Sequence, residues 1–159
     1  MRVWVLALAA LLGVFAAAPA RAADAQELVD RAAVGDMFEV QASRMALHLS
    51  RDDAVRDFAR RTIVETNEAM VALKRTADAA GLAFPERVDG ERGDRLQSLM
   101  KAGDGFTPRY LQALEAERRE VLQLFESYAA KGGDARVRTF ARGALPDMRT
   151  RLATLRALR

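Results

Sequence analysis

Cysteine is absent from this 159-residue chain. No disulfide can staple the fold, and no thiolate can serve as nucleophile or metal ligand. There is one histidine, His48. A single imidazole builds neither a catalytic triad nor a histidine-based metal site; near the end of a helix it is expected to serve the terminal carbonyls or solvent. Aromatic residues make up 6% of the chain, too few for a base-stacking surface. An excess of one charge is missing too: 25 Lys+Arg stand against 22 Asp+Glu, a net +3. Arg2 and Arg21 fall in the first 22 residues, which hold no acid; removing them leaves 23 against 22, or +1. The pI near 9.8 is therefore no argument for nucleic acid. No strand pattern and no glycine-rich phosphate loop occur, so nucleotide binding has no support. There is no fixed-period repeat and no low-complexity tract.

What is present begins with an apolar run. Val3 to Ala18 carries no charge, follows Arg2, and leads to Ala20-Arg21-Ala22. This pattern predicts a cleavable signal peptide over residues 1–22, cut before Ala23, and a single domain over 23–159. Sixteen apolar residues are short for a membrane span, which needs roughly 20; retention as an anchor is the alternative. Without cysteine there is no lipid-anchor site, and Arg2 stands alone, so no twin-arginine signal is present. The expected location is the periplasm, with outer-membrane association left open and no transmembrane span in the mature chain.

The rest of the chain carries four stripes of apolar or small residues spaced three and four apart. The first is Leu28, Ala32, Gly35, Glu39, Ala42, Ala46, Leu49; the second Ala59, Ile63, Thr66, Met70, Leu73, Ala77. The third is Leu111, Leu114, Arg118, Val121, Phe125, Tyr128; the fourth Val137, Ala141, Ala144, Met148, Arg151, Leu155, Leu158. Each stripe is broken once near its middle by a polar residue: Glu39, Thr66, Arg118 and Arg151. Four such helices make a bundle in which the breaks meet at one level.

Helix one is predicted from about Ala23 to Leu49. Asp52 or Ser50 is placed to cap helix two, which Gly81 ends after Ala80. Residues 81–106 hold Gly81, Pro85, Gly90, Gly93, Gly103 and Gly105, and read as a long connection with a short helix at Leu96, Leu99 and Met100. Thr107-Pro108 predicts the start of helix three, which runs to Lys131. Gly132-Gly133 breaks the chain, and Asp134 caps helix four, which runs to the end with Pro146 inside it. Two short connections and one of about 25 residues favour an all-α, ferritin-like four-helix bundle with one crossover. An up-down bundle is the alternative.

The segments Asp30–Leu47, Val55–Arg61, Phe106–Tyr110 with Leu124–Glu126, and Phe140-Ala141 with Leu145-Pro146, in this order and spacing, resemble the bacterial domain-of-unknown-function 4142 family. The resemblance spans nearly the whole mature chain. It implies an exported protein similar to ferritin-like bundles, of a kind often labelled a predicted outer-membrane protein, with no established biochemical function. It also implies histidine where this chain has Thr66, Arg118 and Arg151. Histidines with Glu39 at one level would suit a transition metal. Two arginines in their place cannot deprotonate to bind one.

The candidate site is therefore a partly buried polar cluster of Glu39, Thr66, Arg118 and Arg151, because buried charges must pair. One reading is a device that holds helix register; the other is an anion site, since two arginines face one carboxylate. Glu65-x-x-Glu68 and Glu117-x-x-Glu120 echo the spacing of dimetal carboxylate sites but lie beside the stripes, and no Glu-x-x-His occurs. Met37, Met45, Met70, Met100 and Met148 are scattered and read as core filler. No metal, cofactor or catalytic residue is expected. The sequence reading is a non-enzymatic binding or interaction module of the cell envelope, with an envelope partner or small ligand and no nucleic acid; oligomeric state is not legible. A ferritin-like metal-binding protein or metal-dependent oxidoreductase, and a lipid-associated envelope scaffold, are the alternatives.

Overall fold

The computed structural model describes residues 17–158, with side chains from Asp24 onward. Residues 1–16 of the expected leader lie outside the described residues. The chain forms α1 (Ala17–Leu49), α2 (Asp53–Ala80), α3 (Gly90–Met100), a 3-10 turn (Gly103–Gly105), α4 (Phe106–Lys131) and α5 (Ala135–Arg156). Among the described residues there is no strand, and the all-α class agrees with the expectation. No helix among them is long and apolar enough to cross a membrane.

The four long helices bury their stripes in two apolar clusters, one at each end. The first joins the end of α1 (Phe38, Ala42, Ala46), the start of α2 (Val55, Phe58), the start of α4 (Tyr110, Leu114) and the end of α5 (Leu155). The second joins the start of α1 (Leu28, Val29), the end of α2 (Leu73, Ala77), the end of α4 (Phe125, Tyr128) and the start of α5 (Val137, Ala141). From this, α2 and α4 run in the same direction, and α1 and α5 run opposite to them. The principal contacts are α1 with α2, α4 with α5, α1 with α4 and α2 with α5. Consequently α2 and α4 are diagonal, and the segment between them travels from one end to the other. On that path α3 packs on α1 and α4.

The ends follow from local chemistry. The Asp52 carboxylate accepts from the Ala54 and Val55 amides at 2.8 and 3.2 Å, so Asp52, not Ser50, caps α2. Gly81 closes α2 at φ 70°, a left-handed conformation that favours glycine. Asp89 caps α3 through the Arg92 amide at 2.8 Å, and Asp134 caps α5 through the Arg136 and Val137 amides at 2.8 and 3.0 Å.

Three boundaries differ from the sequence reading. First, α1 is already helical at Ala17, the first described residue, ahead of the expected Ala23. Second, Thr107 does not cap α4, which begins at Phe106 without a side-chain cap. The 3-10 turn runs directly into the helix and its Gly103 carbonyl takes the Phe106 amide, leaving the Thr107 hydroxyl to pair with that of Ser50 at 2.9 Å. Third, α3 is a full 11-residue helix, longer than the stretch at Leu96–Met100 suggested.

Candidate functional site

All four polar breaks line one cavity of about 90 Å³ at mid-height between the long helices. Glu39 and Arg118 meet there. Arg118 Nε donates to both Glu39 oxygens at 3.1 Å, and Nη2 donates to Oε2 at 2.8 Å. The remaining donors are used as well: Nη1 reaches the Arg151 carbonyl at 2.9 Å and Nη2 the Thr62 hydroxyl at 3.3 Å. The guanidinium also lies 5.4 Å from the centre of the Phe58 ring. Glu39 is 7% exposed and Arg118 8%, so this is a buried pair bridging α1 and α4. Burial alone would push the Arg118 pKa down, but the charge and hydrogen bonds of Glu39 outweigh it and the value rises above normal.

Arg151 does not join Glu39. Its Nη2 lies 2.7 Å from Asp147, one turn earlier on α5, and its Nε 3.9 Å from Glu65 on α2. That Nε is buried with no hydrogen-bond partner, as is the Thr66 hydroxyl. Arg118, Asp147 and Arg151 also line a groove of about 90 Å³ between α2 and α5, shared with Phe58, Thr62 and Glu65. The Arg151–Asp147 pair thus stands between the inner cavity and that groove.

Sequence reasoning missed Asp36. It sits one turn before Glu39 on the same face of α1 and lines the cavity. Asp36 is half-buried, with its side chain on the cavity wall. Among the described residues no hydrogen bond or ion pair reaches it. Burial pushes its pKa well above the ordinary carboxylate range, and the negative charge of Glu39 adds to the rise; Arg151 and Arg118 pull down, and Glu117 pushes up again. The one signal in the sequence was its place three residues before Glu39, next to the stripe glycine Gly35. The cavity is therefore not an excess of arginine around one acid. The carboxylates of Asp36, Glu39 and Asp147 face the guanidinium groups of Arg118 and Arg151.

A raised pKa means that the folded chain holds the Asp36 proton more tightly than the unfolded chain does. The associated stability is present below the ordinary carboxylate pKa and is lost as pH rises through the raised value. Asp36→Asn removes that loss. We expect it to stabilise the chain at pH 8 by about 1 kcal/mol, roughly 4 °C in Tm, with the gain over wild type shrinking toward pH 4. Paired urea melts across that range check it, and a gain independent of pH would contradict the assignment.

A second buried cluster lies beside the first, centred on Glu117, which stands beside the stripe in sequence and is nevertheless buried. Glu117 is 1% exposed. Its Oε1 accepts from Arg92 Nε at 3.0 Å and Nη2 at 2.6 Å, and its Oε2 accepts from Arg95 at 2.8 Å. Arg92 also bonds the Asp89 carboxylate at 2.7 Å. Glu117 thereby clasps α3 to α4. Gly35 makes the space for it: a Cβ on Gly35 would lie 2.7 Å from Glu117 Oε1. Because Arg92 holds that oxygen through two hydrogen bonds and Arg95 holds the other carboxylate oxygen, it cannot swing clear. Gly35→Ala is expected to cost about 1–3 kcal/mol by overpacking, although the same change in an unobstructed helix would stabilise it. A urea midpoint at or above wild type would show that Glu117 yields.

The other acids considered as metal ligands are dispersed. Glu65 faces Arg151, Glu68 is exposed, Glu117 is held by Arg92 and Arg95, and Glu120 pairs with Arg31. Among the described residues no three His, Cys, Asp or Glu side chains are grouped to hold a metal ion. The donor set does not fit the dimetal centre that the ferritin analogy implies. His48 is exposed, at the far end of α1.

The model of a family described as a domain of unknown function (DUF4142) matches residues 12–158. The chain belongs to the DUF4142 family. No curated protein and no solved structure matches it. In this DUF4142 chain the positions singled out by the stripes, Glu39, Thr66, Arg118 and Arg151, all border the cavity, but only Glu39 and Arg118 bond to each other through their side chains.

Proposed function

We propose that this chain is an exported, non-enzymatic binding module of the cell envelope, built on a ferritin-like bundle, and that the mid-bundle cavity is its ligand site. The observation that carries this is the coexistence, in one cavity, of a buried, unpartnered Thr66 hydroxyl, the half-buried Asp36 side chain and an apolar wall of Leu73, Phe125, Phe140 and Met148. Buried polar atoms are normally satisfied. Convergent polar groups on one side of an apolar pocket are the usual form of a small-molecule site. Parallel α2 and α4 with a connection running the length of the bundle support the ferritin-like reading. The apolar run and Ala20-Arg21-Ala22 support export to the periplasm. No histidine, cysteine or lysine lines the cavity, which favours binding over catalysis.

The test is a screen of small fragments, neutral, anionic and cationic, against the purified protein, read from NMR signals of the Leu73, Val121 and Met148 methyl groups. We expect binders to shift these signals, and Ala144→Phe, which fills the cavity, to abolish the shifts. If no fragment of any charge perturbs them, the cavity is not a ligand site.

A further inference from the structure

The cavity has room for about half a dozen non-hydrogen atoms, since one water needs roughly 10–15 Å³ of comparable volume and the space is about 90 Å³. Its charged groups can be counted by the element that supplies them. α1 contributes Asp36 and Glu39, α4 contributes Arg118, α5 contributes Asp147 and Arg151, and α2 contributes only the neutral Thr66. Glu39 and Arg118 satisfy each other, and Asp147 and Arg151 pair at the rim. Asp36 is left over, an acid without a cation. We propose that the cavity binds a short-chain organic primary ammonium ion, with Asp36 as its counter-ion.

This rests on the cavity being the binding site and names the ligand class for it. An ammonium group carries three donors and no acceptor. Asp36 and the free Thr66 hydroxyl offer acceptors, and Thr66, 1% exposed, has no competing partner. The alkyl chain then lies against Leu73, Phe125 and Met148 on the apolar side. An anion would meet the opposite arrangement, because carboxylates outnumber guanidinium groups and every Arg118 nitrogen already donates. Binding the cation also displaces a proton. Burial and the charge of Glu39 favour the protonated form of Asp36 in the free protein, against Arg151 and Arg118, whereas an ammonium ion favours the ionised form, so binding is linked to proton release. Affinity therefore rises with pH as Asp36 ionises.

Titration calorimetry of n-butylammonium chloride into the purified protein, in two buffers of different ionisation enthalpy, tests this directly. We expect binding with net proton release, affinity at least about tenfold above that of 1-butanol, and a loss of about tenfold or more in Asp36→Asn. That variant is expected to fold at least as stably as wild type. Ala144→Phe should remove binding of both probes. Equal affinity for butylammonium and 1-butanol, unchanged in Asp36→Asn, would overturn the ammonium assignment while leaving the cavity a ligand site. Butylammonium binding that survives Ala144→Phe would place the cation elsewhere on the surface and overturn it too. Failure of both probes, together with a blank fragment screen, would remove the ligand site itself.

Discussion

Glu39→Gln is expected to lower stability by about 3 kcal/mol, near the bottom of the roughly 3–5 kcal/mol range for breaking a buried ion pair. The change keeps the side-chain shape and removes the charge, so Arg118, 8% exposed, is left as an uncompensated cation between the two apolar clusters. Arg118 cannot neutralise itself, because a guanidinium does not lose its proton in a protein. Its bonds to the Arg151 carbonyl and the Thr62 hydroxyl hold it in place, so it cannot relax to the surface. The loss falls at the low end because Asp36 is nearby. Once the negative charge of Glu39 is gone, a cause of the high Asp36 pKa is gone, and Arg118 and Arg151 favour its ionisation. Asp36 then stands in as the counter-charge, and Asp36→Asn together with Glu39→Gln should show the fuller cost. Replacing both members of the pair, Glu39→Leu with Arg118→Met, should be close to neutral or stabilising, since desolvating two charges offsets most of their attraction. Urea unfolding of the single and double variants at pH 7 measures all of this. A single-variant loss below about 1 kcal/mol would mean that the pair behaves as a solvated surface bridge.

Glu117→Gln should cost about as much, roughly 3–5 kcal/mol, but the damage is distributed differently. Glu39 and Arg118 join two long helices, whereas Glu117 holds α3 against α4 through Arg92 and Arg95. Burial would push the Arg92 pKa down, and its bonds to Glu117 and Asp89 more than reverse this. Without Glu117 only Asp89, on the rim, remains as a partner. α3 is short, and Leu96 and Leu99 are its only buried apolar residues, so it should open locally before the bundle unfolds. Hydrogen exchange followed by mass spectrometry should show lost protection across residues 90–100 while the centres of α1, α2, α4 and α5 stay protected at low urea. Uniform loss across all five helices would show instead that α3 is part of the same cooperative unit.

The two clusters also show what kind of information each level of description holds. The Glu39–Arg118 pairing was legible because both residues interrupt otherwise apolar stripes, and a charge on a buried face must find its opposite. The caps at Asp52 and Asp134 and the glycine stop at Gly81 were legible because each satisfies backbone groups within a few residues of itself. Glu117 was not legible. It lies one residue, about 100° around the helix, from Arg118, on a side of α4 that an isolated pair of stripes would leave to solvent. It is buried because α3 crosses there, and no local periodicity records that crossing. Asp36 was missed for a related reason: an acid beside a stripe looks solvated until four helices close around it.

Where the helices form, which face of each turns inward and where most of them stop follow from local stretches of the chain. Propensity, periodicity and capping act over a turn or two of chain, and they need no partner to be read. Packing of the helices settles which polar residues share a cavity, that Arg151 turns to Asp147 rather than Glu39, that Gly35 makes room for Glu117, and that Asp36 lines the cavity without an ion-pair partner. Those outcomes depend on distances between residues far apart in sequence. They are set by how the helices pack and by which charge reaches which partner once water is excluded.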